Sequence, residues 1–98
     1  MYASVTIAQI KAGQTDAFVE AWERMIKPEV SKLPGMMNTY ALVNRETHKC
    51  ITVALYETQG DAAATQTSGT YRTLVAHLAD FLMKDSLVRE EYEVGSKA

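Results

Sequence analysis

The stretch Leu33-Pro34-Gly35-Met36 decides the fold of this chain, because it ends a long helix and begins a β-hairpin. Pro34 cannot continue a helix, and Gly35 takes the backbone conformations that a sharp exit from a helix needs. Before the junction, apolar residues at three- and four-residue spacing predict a helix over residues 16–32. Pro28 falls inside that pattern and predicts a kink or a restart of the helix.

The apolar periods of the whole chain predict four strands and two main helices in the order β-α-β-β-α-β. The predicted strands are residues 2–10, 36–44, 49–57 and 86–94, the second full helix is about 70–83, and a short helix begins at Gly60-Asp61. Thr15 or Asp16 is expected to cap the first helix. This order predicts an α+β fold, a ferredoxin-like sandwich with a four-stranded antiparallel sheet and both helices on one face. Residues 1–98 are interpreted as one domain with its core at about 2–94.

The sheet face that the helices leave uncovered predicts a homodimer. On the strand 49–57, Ile51, Val53 and Leu55 alternate with smaller side chains, and we assign the smaller set to the uncovered face. That face would carry Tyr2, Ala8, Cys50, Ala54 and Tyr56. The last strand alternates likewise, with Val88, Tyr92 and Val94 on one side and Arg89, Glu91 and Glu93 on the other. An apolar face of this kind is expected to pack against the same face of a second copy.

Composition and charge argue against several kinds of partner. The formal charge is −2 without a cluster of Lys or Arg, so neither nucleic acid nor an anionic membrane is expected to bind. The single Cys50 excludes an internal disulfide and a multi-cysteine metal site, and it fits a reduced cytosol. Residues 1–20 lack a signal-peptide pattern, and no apolar run approaches the roughly 20 residues that span a bilayer. We therefore expect a soluble, cytoplasmic protein.

The chain resembles the antibiotic-biosynthesis monooxygenase domain family of the dimeric α/β-barrel superfamily. The residues that carry the resemblance are the alternating first strand, the junction at Leu33–Met36, the strand end Ala54-Leu55-Tyr56-Glu57-Thr58 that leads into Asp61, and the helix break before Tyr71. The resemblance covers about residues 3 to 94, and members often carry Trp where this chain has Tyr56. It implies a homodimer whose sheets pack together, with a small pocket between the sheet and the helices of each subunit.

The resemblance leaves the chemistry open, because fold alone does not determine function. Relatives oxygenate polycyclic phenols without a metal or flavin, oxidise quinols, isomerise small phosphorylated carbonyl compounds or degrade haem. The haem-degrading branch uses an Asn on the first strand, a Trp on the short helix and a His on the long helix. Thr6, Thr65 and Val75 occupy those places here, which argues against haem degradation.

Three residues are candidates for catalytic groups. His77 flanks the apolar stripe of the second helix and is the best acid or base by residue type, since imidazole titrates near neutrality. Its simpler interpretation is a boundary position half in water. Tyr56 could donate a hydrogen bond to a substrate oxygen while its ring packs against an aromatic ligand. Asn38 begins a hairpin strand, where either it or Thr39 should face inward, and a buried amide needs partners.

Trp22, Tyr71 and Tyr40 are candidates for the walls of a binding pocket. Each has a large ring on an element that would line the cleft or the dimer face. Their simpler interpretation is packing in the core or at the interface, above all for Trp22 within the helix stripe.

The leading hypothesis is a cofactor-independent monooxygenase-like enzyme that acts on a small aromatic or quinol-type compound. Such chemistry needs no metal if the anion of the substrate can pass an electron to oxygen, and the sequence lacks metal-ligand spacings and phosphate-binding loops. No cofactor is therefore expected. The alternatives are a non-catalytic ligand-binding or stress-associated barrel dimer, and an isomerase of a small carbonyl compound that would need an acid/base pair such as His77 with a Glu or Tyr.

Overall fold

The four alternating segments of the sequence pair into one antiparallel sheet, and the helical segments cover one of its faces. The computed structural model describes residues 1–98. The elements are β1 (Tyr2–Gln9), α1 (Thr15–Ala21), a π-helical segment (Trp22–Ile26), α2 (Lys27–Val30), β2 (Met36–Asn44), β3 (Lys49–Tyr56), α3 (Gln59–Thr67), α4 (Gly69–Ala79) and β4 (Val88–Glu93). The strand order is β2-β3-β1-β4, with every neighbouring pair antiparallel. The predicted α+β, ferredoxin-like fold is confirmed. None of the helices is long and apolar enough to cross a membrane.

The junction after α2 is a tight turn that is fastened to the start of α3. Gly35 has a φ of +71°, a conformation that side chains disfavour, and a Cβ there would overlap the Asp61 carboxylate. Its carbonyl accepts a hydrogen bond of 2.9 Å from the Glu57 N–H. Thr58 caps α3, since its hydroxyl oxygen accepts from the Asp61 N–H at 3.1 Å. The junction therefore joins the end of the first helical region to the end of β3.

The first helical region begins without the predicted side-chain cap. Gln14 is the N-cap and makes no capping hydrogen bond through its side chain. Thr15 is buried with an unpaired hydroxyl, and Asp16 instead forms an ion pair with Arg45 at 2.7 Å. The prediction of a Thr15 or Asp16 cap was wrong, because Thr15 is buried and Asp16 pairs with Arg45.

The interruption predicted at Pro28 occurs as the π-helical segment that precedes it, in which the Lys27 N–H donates to the Trp22 carbonyl. Phe18, Trp22, Ile26 and Val30 are spaced by four residues, and all four are buried. In an α-helix this spacing drifts by about 40° per step, since each residue turns about 100°. The wider π-helical turn offsets that drift and keeps all four side chains on one side of the helix.

The prediction of which sheet face the helices cover was wrong. Ala8 pairs with Cys50 and Tyr2 with Tyr56 in the register of β1 and β3. Cys50 and Tyr56 are only 3% and 2% exposed, because they lie under the helices. After Lys49, both alternating sets of β3 are uncharged, so the pattern reveals its period but not which set faces inward. The smaller set faces the helices, whose large side chains need the space.

The other face of the sheet, here called the open face, carries the larger apolar side chains. Ile51, Val53 and Leu55 lie on it in β3, and the register pairs Val53 with Tyr40 and Val5. The open face also carries Ala3, Ile7, Asn38, Leu42, Val88, Glu90 and Tyr92. The Tyr40, Leu42, Val88 and Tyr92 side chains are about half exposed. The open face is thus more apolar than the sequence analysis assumed.

Candidate functional site

A cavity of about 620 Å³ lies between the inner face of the sheet and the helices. Of its 27 lining residues, 18 are hydrophobic, so its walls are mainly apolar. The floor is formed by small side chains of β1 and β3, such as Ala8, Cys50 and Ala54, and the roof by large ones such as Phe18 and Leu74. Small residues facing a layer of large ones leave room that the chain itself does not fill. Its volume lies in the range of about 300–1,000 Å³ that is typical of small-molecule sites.

Arg89 provides a positive charge at one end of this cavity. It pairs with Thr6 in the register of β1 and β4, which turns its side chain to the inner face, where the side chain is 24% exposed. Its Nη1 donates a hydrogen bond of 2.6 Å to the Tyr71 hydroxyl, and its Nη2 donates one of 2.7 Å to the Ser4 hydroxyl. The guanidinium carbon also lies 5.3 Å from the centre of the Tyr71 ring. Its Nε is buried without a hydrogen-bond partner.

Glu91 balances part of the charge of Arg89. Its Oε1 lies 3.7 Å from Arg89 Nε, close enough for an ion pair but beyond a normal hydrogen bond. The carboxylate is already held by the Tyr2 hydroxyl, which donates at 3.1 Å, and by the Gln66 amide. Arg89 therefore places a partly balanced positive charge in the lining of a mainly apolar cavity, which is an arrangement suited to an anionic or strongly accepting oxygen.

Two tyrosines bring hydroxyl groups to the same part of the cavity lining. The Tyr71 hydroxyl accepts from Arg89, so its own proton is available for another acceptor. Burial raises the pKa of the Tyr56 phenol, an effect that the Thr65 hydroxyl partly opposes. Tyr56 is therefore a neutral donor at ordinary pH. Burial also raises the pKa of the Cys50 thiol, which lines the cavity as a neutral group.

Three of the six predicted site residues lie at the cavity. Tyr56, Trp22 and Tyr71 all line it, and the first two are buried. Trp22 and Tyr71 thus lie where pocket walls were expected, whereas Tyr56 had been assigned to the uncovered face of the sheet. Their roles in binding or catalysis stay predictions.

The other three predicted residues, His77, Asn38 and Tyr40, lie outside the main cavity. On α4, Leu74 and Leu78 face the cavity, which leaves His77 exposed and outside the lining. Asn38 lies exposed on the open face, because an irregularity between Met36 and Asn38 shifts the register and Thr39 faces inward instead. Tyr40 also points to the open face and does not line this cavity. His77 is therefore not placed to serve in the cavity as one member of the acid/base pair that the isomerase hypothesis needs.

Arg89 was not among the predicted site residues. It alternates with Glu91 and Glu93 on the polar side of the last strand, and a polar side is normally exposed to water. The available signal was the register, because an inward-facing Thr6 places its partner Arg89 on the inner face as well. That signal could be used only after the covered face of the sheet was known. The structure contains no group of three or more His, Cys, Asp or Glu side chains that could hold a metal ion.

Comparison with known proteins identifies related sequences and folds. The model of the antibiotic biosynthesis monooxygenase family matches residues 1–77. None of the curated proteins is similar enough in sequence to match the chain. Among solved structures, a proposed antibiotic biosynthesis monooxygenase from Nitrosomonas europaea is 27% identical, with a TM-score of 0.79 over 98% of this chain and 100% of that one.

Two further structures share the fold at low sequence identity. A mutant of SnoaB, a cofactor-independent oxygenase from Streptomyces nogalater, is 9% identical with a TM-score of 0.80 over 98% of this chain and 94% of that one. A dimeric ferredoxin-like protein of unknown function from a Jannaschia species is 12% identical with a TM-score of 0.76, over 95% of this chain and 98% of that one.

Proposed function

Because the chain belongs to the antibiotic biosynthesis monooxygenase family, we propose that it is a cofactor-independent monooxygenase-like enzyme acting on a small aromatic or quinol-type compound. The observation that carries the proposal is the guanidinium of Arg89, which lines a mainly hydrophobic cavity and donates hydrogen bonds to the Tyr71 and Ser4 hydroxyls. The fold shared with a cofactor-independent oxygenase supports it further.

Arg89 would bind the hydroxyl oxygen of the substrate and favour its anion. A guanidinium stays protonated at neutral pH, and its attraction for an anion is stronger in a mainly apolar cavity than in water. The phenolic proton would leave to water through the mouth of the cavity, where exposed residues such as Lys84 and Asp85 line it. Tyr71 and Tyr56 would donate hydrogen bonds to the same oxygen and help to hold the negative charge.

The bound anion would then react with dioxygen directly. For 1-naphthol, one electron passes from the naphtholate to O2, and the two radicals combine to form a C–O bond at the ring carbon para to the hydroxyl. Protonation of the outer oxygen gives a hydroperoxide. Breaking its O–O bond, with loss of the proton on that ring carbon, releases water and leaves 1,4-naphthoquinone. One oxygen atom enters the product and the other leaves as water, so no external reductant is consumed.

The test is the oxygenation of 1-naphthol by the purified protein without added metal or flavin. We expect O2 uptake and quinone formation in a one-to-one ratio, without hydrogen peroxide. Arg89→Met, which keeps a long apolar side chain and removes the charge, should lower kcat/KM by about 100-fold or more, the scale seen when a group that stabilises developing charge is removed. The kcat/KM of Arg89→Lys should lie between those of the wild type and of Arg89→Met, since lysine keeps the charge but lacks the planar guanidinium.

The matched control is Lys84→Met, which removes another cavity-lining positive charge at the exposed mouth. Its kcat/KM should stay within about threefold of the wild type, because an exposed charge is screened by solvent. Equal losses in the two variants would mean that net charge rather than the Arg89 contact matters. An Arg89→Met variant that keeps the kcat/KM of the wild type would rule out the mechanism.

A non-catalytic ligand-binding protein is the second candidate. It is favoured by the absence of any imidazole from the cavity lining, since His77 lies outside it. A binding protein would take up 1-naphthol without consuming O2 and release it unchanged. The two candidates therefore separate in one experiment that measures bound and oxidised naphthol side by side.

We also propose that the protein is a homodimer joined through its open face. Only 15 of the 98 residues are buried in the single chain, and half-exposed aromatic and aliphatic side chains cover the open face. Covering that area would stabilise a small domain that buries little by itself. A cytoplasmic location is proposed on the lone, unpaired Cys50, which fits a reducing compartment.

A further inference from the structure

A second cavity of about 240 Å³ lies beside the main one and shares part of its lining. Trp22 and Thr39 line both cavities, whereas Val19 and Ala41 line only the smaller one. Trp22 is the only residue of the helical layer that lines both.

The smaller cavity reaches the protein surface. Its lining includes Glu23 and Lys27, whose side chains are both 58% exposed and form an ion pair of 3.2 Å. Trp22, which is itself only 8% exposed, and Thr39 therefore both lie at the boundary between the main cavity and a second solvent-accessible space. Trp22 provides the only aromatic ring among the residues that line both cavities.

We propose that Trp22 is a specificity-determining residue: its indole is a partition that limits how far an aromatic ligand can extend from the main cavity towards β2. The proposal rests on the proposed function in one respect, since it takes an aromatic compound to be the ligand of the main cavity. It adds the residue that sets the upper size of that ligand.

The local backbone supports a fixed partition. Trp22 begins the π-helical segment, and its carbonyl accepts from the Lys27 N–H. The wider turn there keeps Trp22 aligned with Phe18 and Ile26, and all three belong to the same buried hydrophobic cluster. Single π-helical turns within helices are frequent at functional sites. An indole held in this way blocks passage by its size, without a charge or a hydrogen bond.

The test measures the affinities of two probes by anaerobic calorimetry in the wild type and in three variants. The short probe is 1-naphthol and the long one is 6-phenyl-1-naphthol, which adds one ring far from the hydroxyl. In Trp22→Leu, affinity for the long probe relative to the short one should rise by about tenfold, because burying a further ring is worth at least that factor. Ala41→Leu, which fills the smaller cavity from β2, should leave the wild-type ratio unchanged. The double variant should return to the wild-type ratio.

A folded Trp22→Leu variant with an unchanged ratio would overturn the partition, as would a double variant that keeps the gain. If thermal melting shows that Trp22→Leu does not fold, Trp22→Phe provides the same comparison with an expected gain of about threefold, since less volume is removed. The two proposals fail separately. If the wild type does not oxygenate 1-naphthol but Trp22→Leu changes the ratio of affinities, only the enzyme proposal is overturned. If the wild type oxygenates 1-naphthol but Trp22→Leu leaves the ratio unchanged, only the partition is overturned. If neither probe binds, both proposals are overturned.

Discussion

The two faces of the sheet are built from the same strands, yet they have opposite uses. In β3, Cys50 and Ala54 face the helices, whereas Ile51, Val53 and Leu55 face outward. The small set leaves a cavity of about 620 Å³, and the large set lies on the open face beside other apolar side chains such as Tyr40 and Val88. In β3, side-chain volume therefore distinguishes the two faces. A binding cavity needs small residues under a helical roof, and an interface needs large ones without a roof.

The largest expected effect comes from a charge placed on the open face. Val53→Asp would bury an unpaired carboxylate in the centre of the proposed dimer interface, at a cost of several kcal/mol. We expect the dimer dissociation constant to rise by at least about 100-fold, as measured by sedimentation equilibrium.

The neighbouring substitution Ala54→Asp is the matched control, because its side chain points to the cavity. It should leave the dimer intact and weaken the binding of 1-naphthol. If Ala54→Asp splits the dimer and Val53→Asp does not, the two faces have been assigned the wrong way round. A wild-type protein that sediments as a monomer at micromolar concentration would rule out the interface itself.

A smaller effect is expected from filling the inner face. Ala54→Leu adds volume to the floor of the main cavity, where empty space accepts it, so the free energy of unfolding should change by less than about 1 kcal/mol. Affinity for 1-naphthol should fall by about tenfold, because the added side chain takes the place of the ligand. Calorimetry measures the affinity and thermal melting the stability. Ala41→Leu, the same substitution outside the main cavity, should leave the affinity unchanged.

The smallest effect concerns the ionisation of Tyr56 in alkaline solution. Burial raises the pKa of this phenol above its ordinary value of 10.0, so the folded protein holds the proton more tightly than the unfolded chain does. Its contribution to stability is thus fully present below pH 10 and is lost as the pH rises through the folded value. Melting temperatures measured from pH 8 upward should fall less steeply above about pH 10 in Tyr56→Phe than in the wild type. Parallel curves would mean that the phenol is not sheltered from solvent.

The fold could be predicted from the sequence because its signals are local. The exit at Pro34-Gly35 and the alternation of the strands depend on backbone preferences that a few residues express. The position of Arg89 could not be predicted in the same way. It depends on which side of the sheet the helices cover, and that choice is made by packing between residues far apart in the chain.

Two further positions show where local patterns end. The register irregularity between Met36 and Asn38 turns Asn38 outward, and the residue types there do not predict such an irregularity. A helical wheel places His77 at the edge of the apolar stripe of α4. Because Leu74 and Leu78 face the cavity, His77 lies on the exposed side of the helix. For both residues, chemistry by type suggested a role that position does not support.

Trp22 has one more consequence, which is optical. It is the only tryptophan in a chain with five tyrosines, and its indole lines the main cavity. Excitation at the red edge of protein absorption selects the indole, so the ultraviolet emission of the native chain comes from the wall of the candidate site. A compound that enters the cavity displaces water beside that ring, which should shift the emission to shorter wavelength or quench it. The protein thus carries its own fluorescent reporter, and libraries of aromatic compounds can be screened without a label.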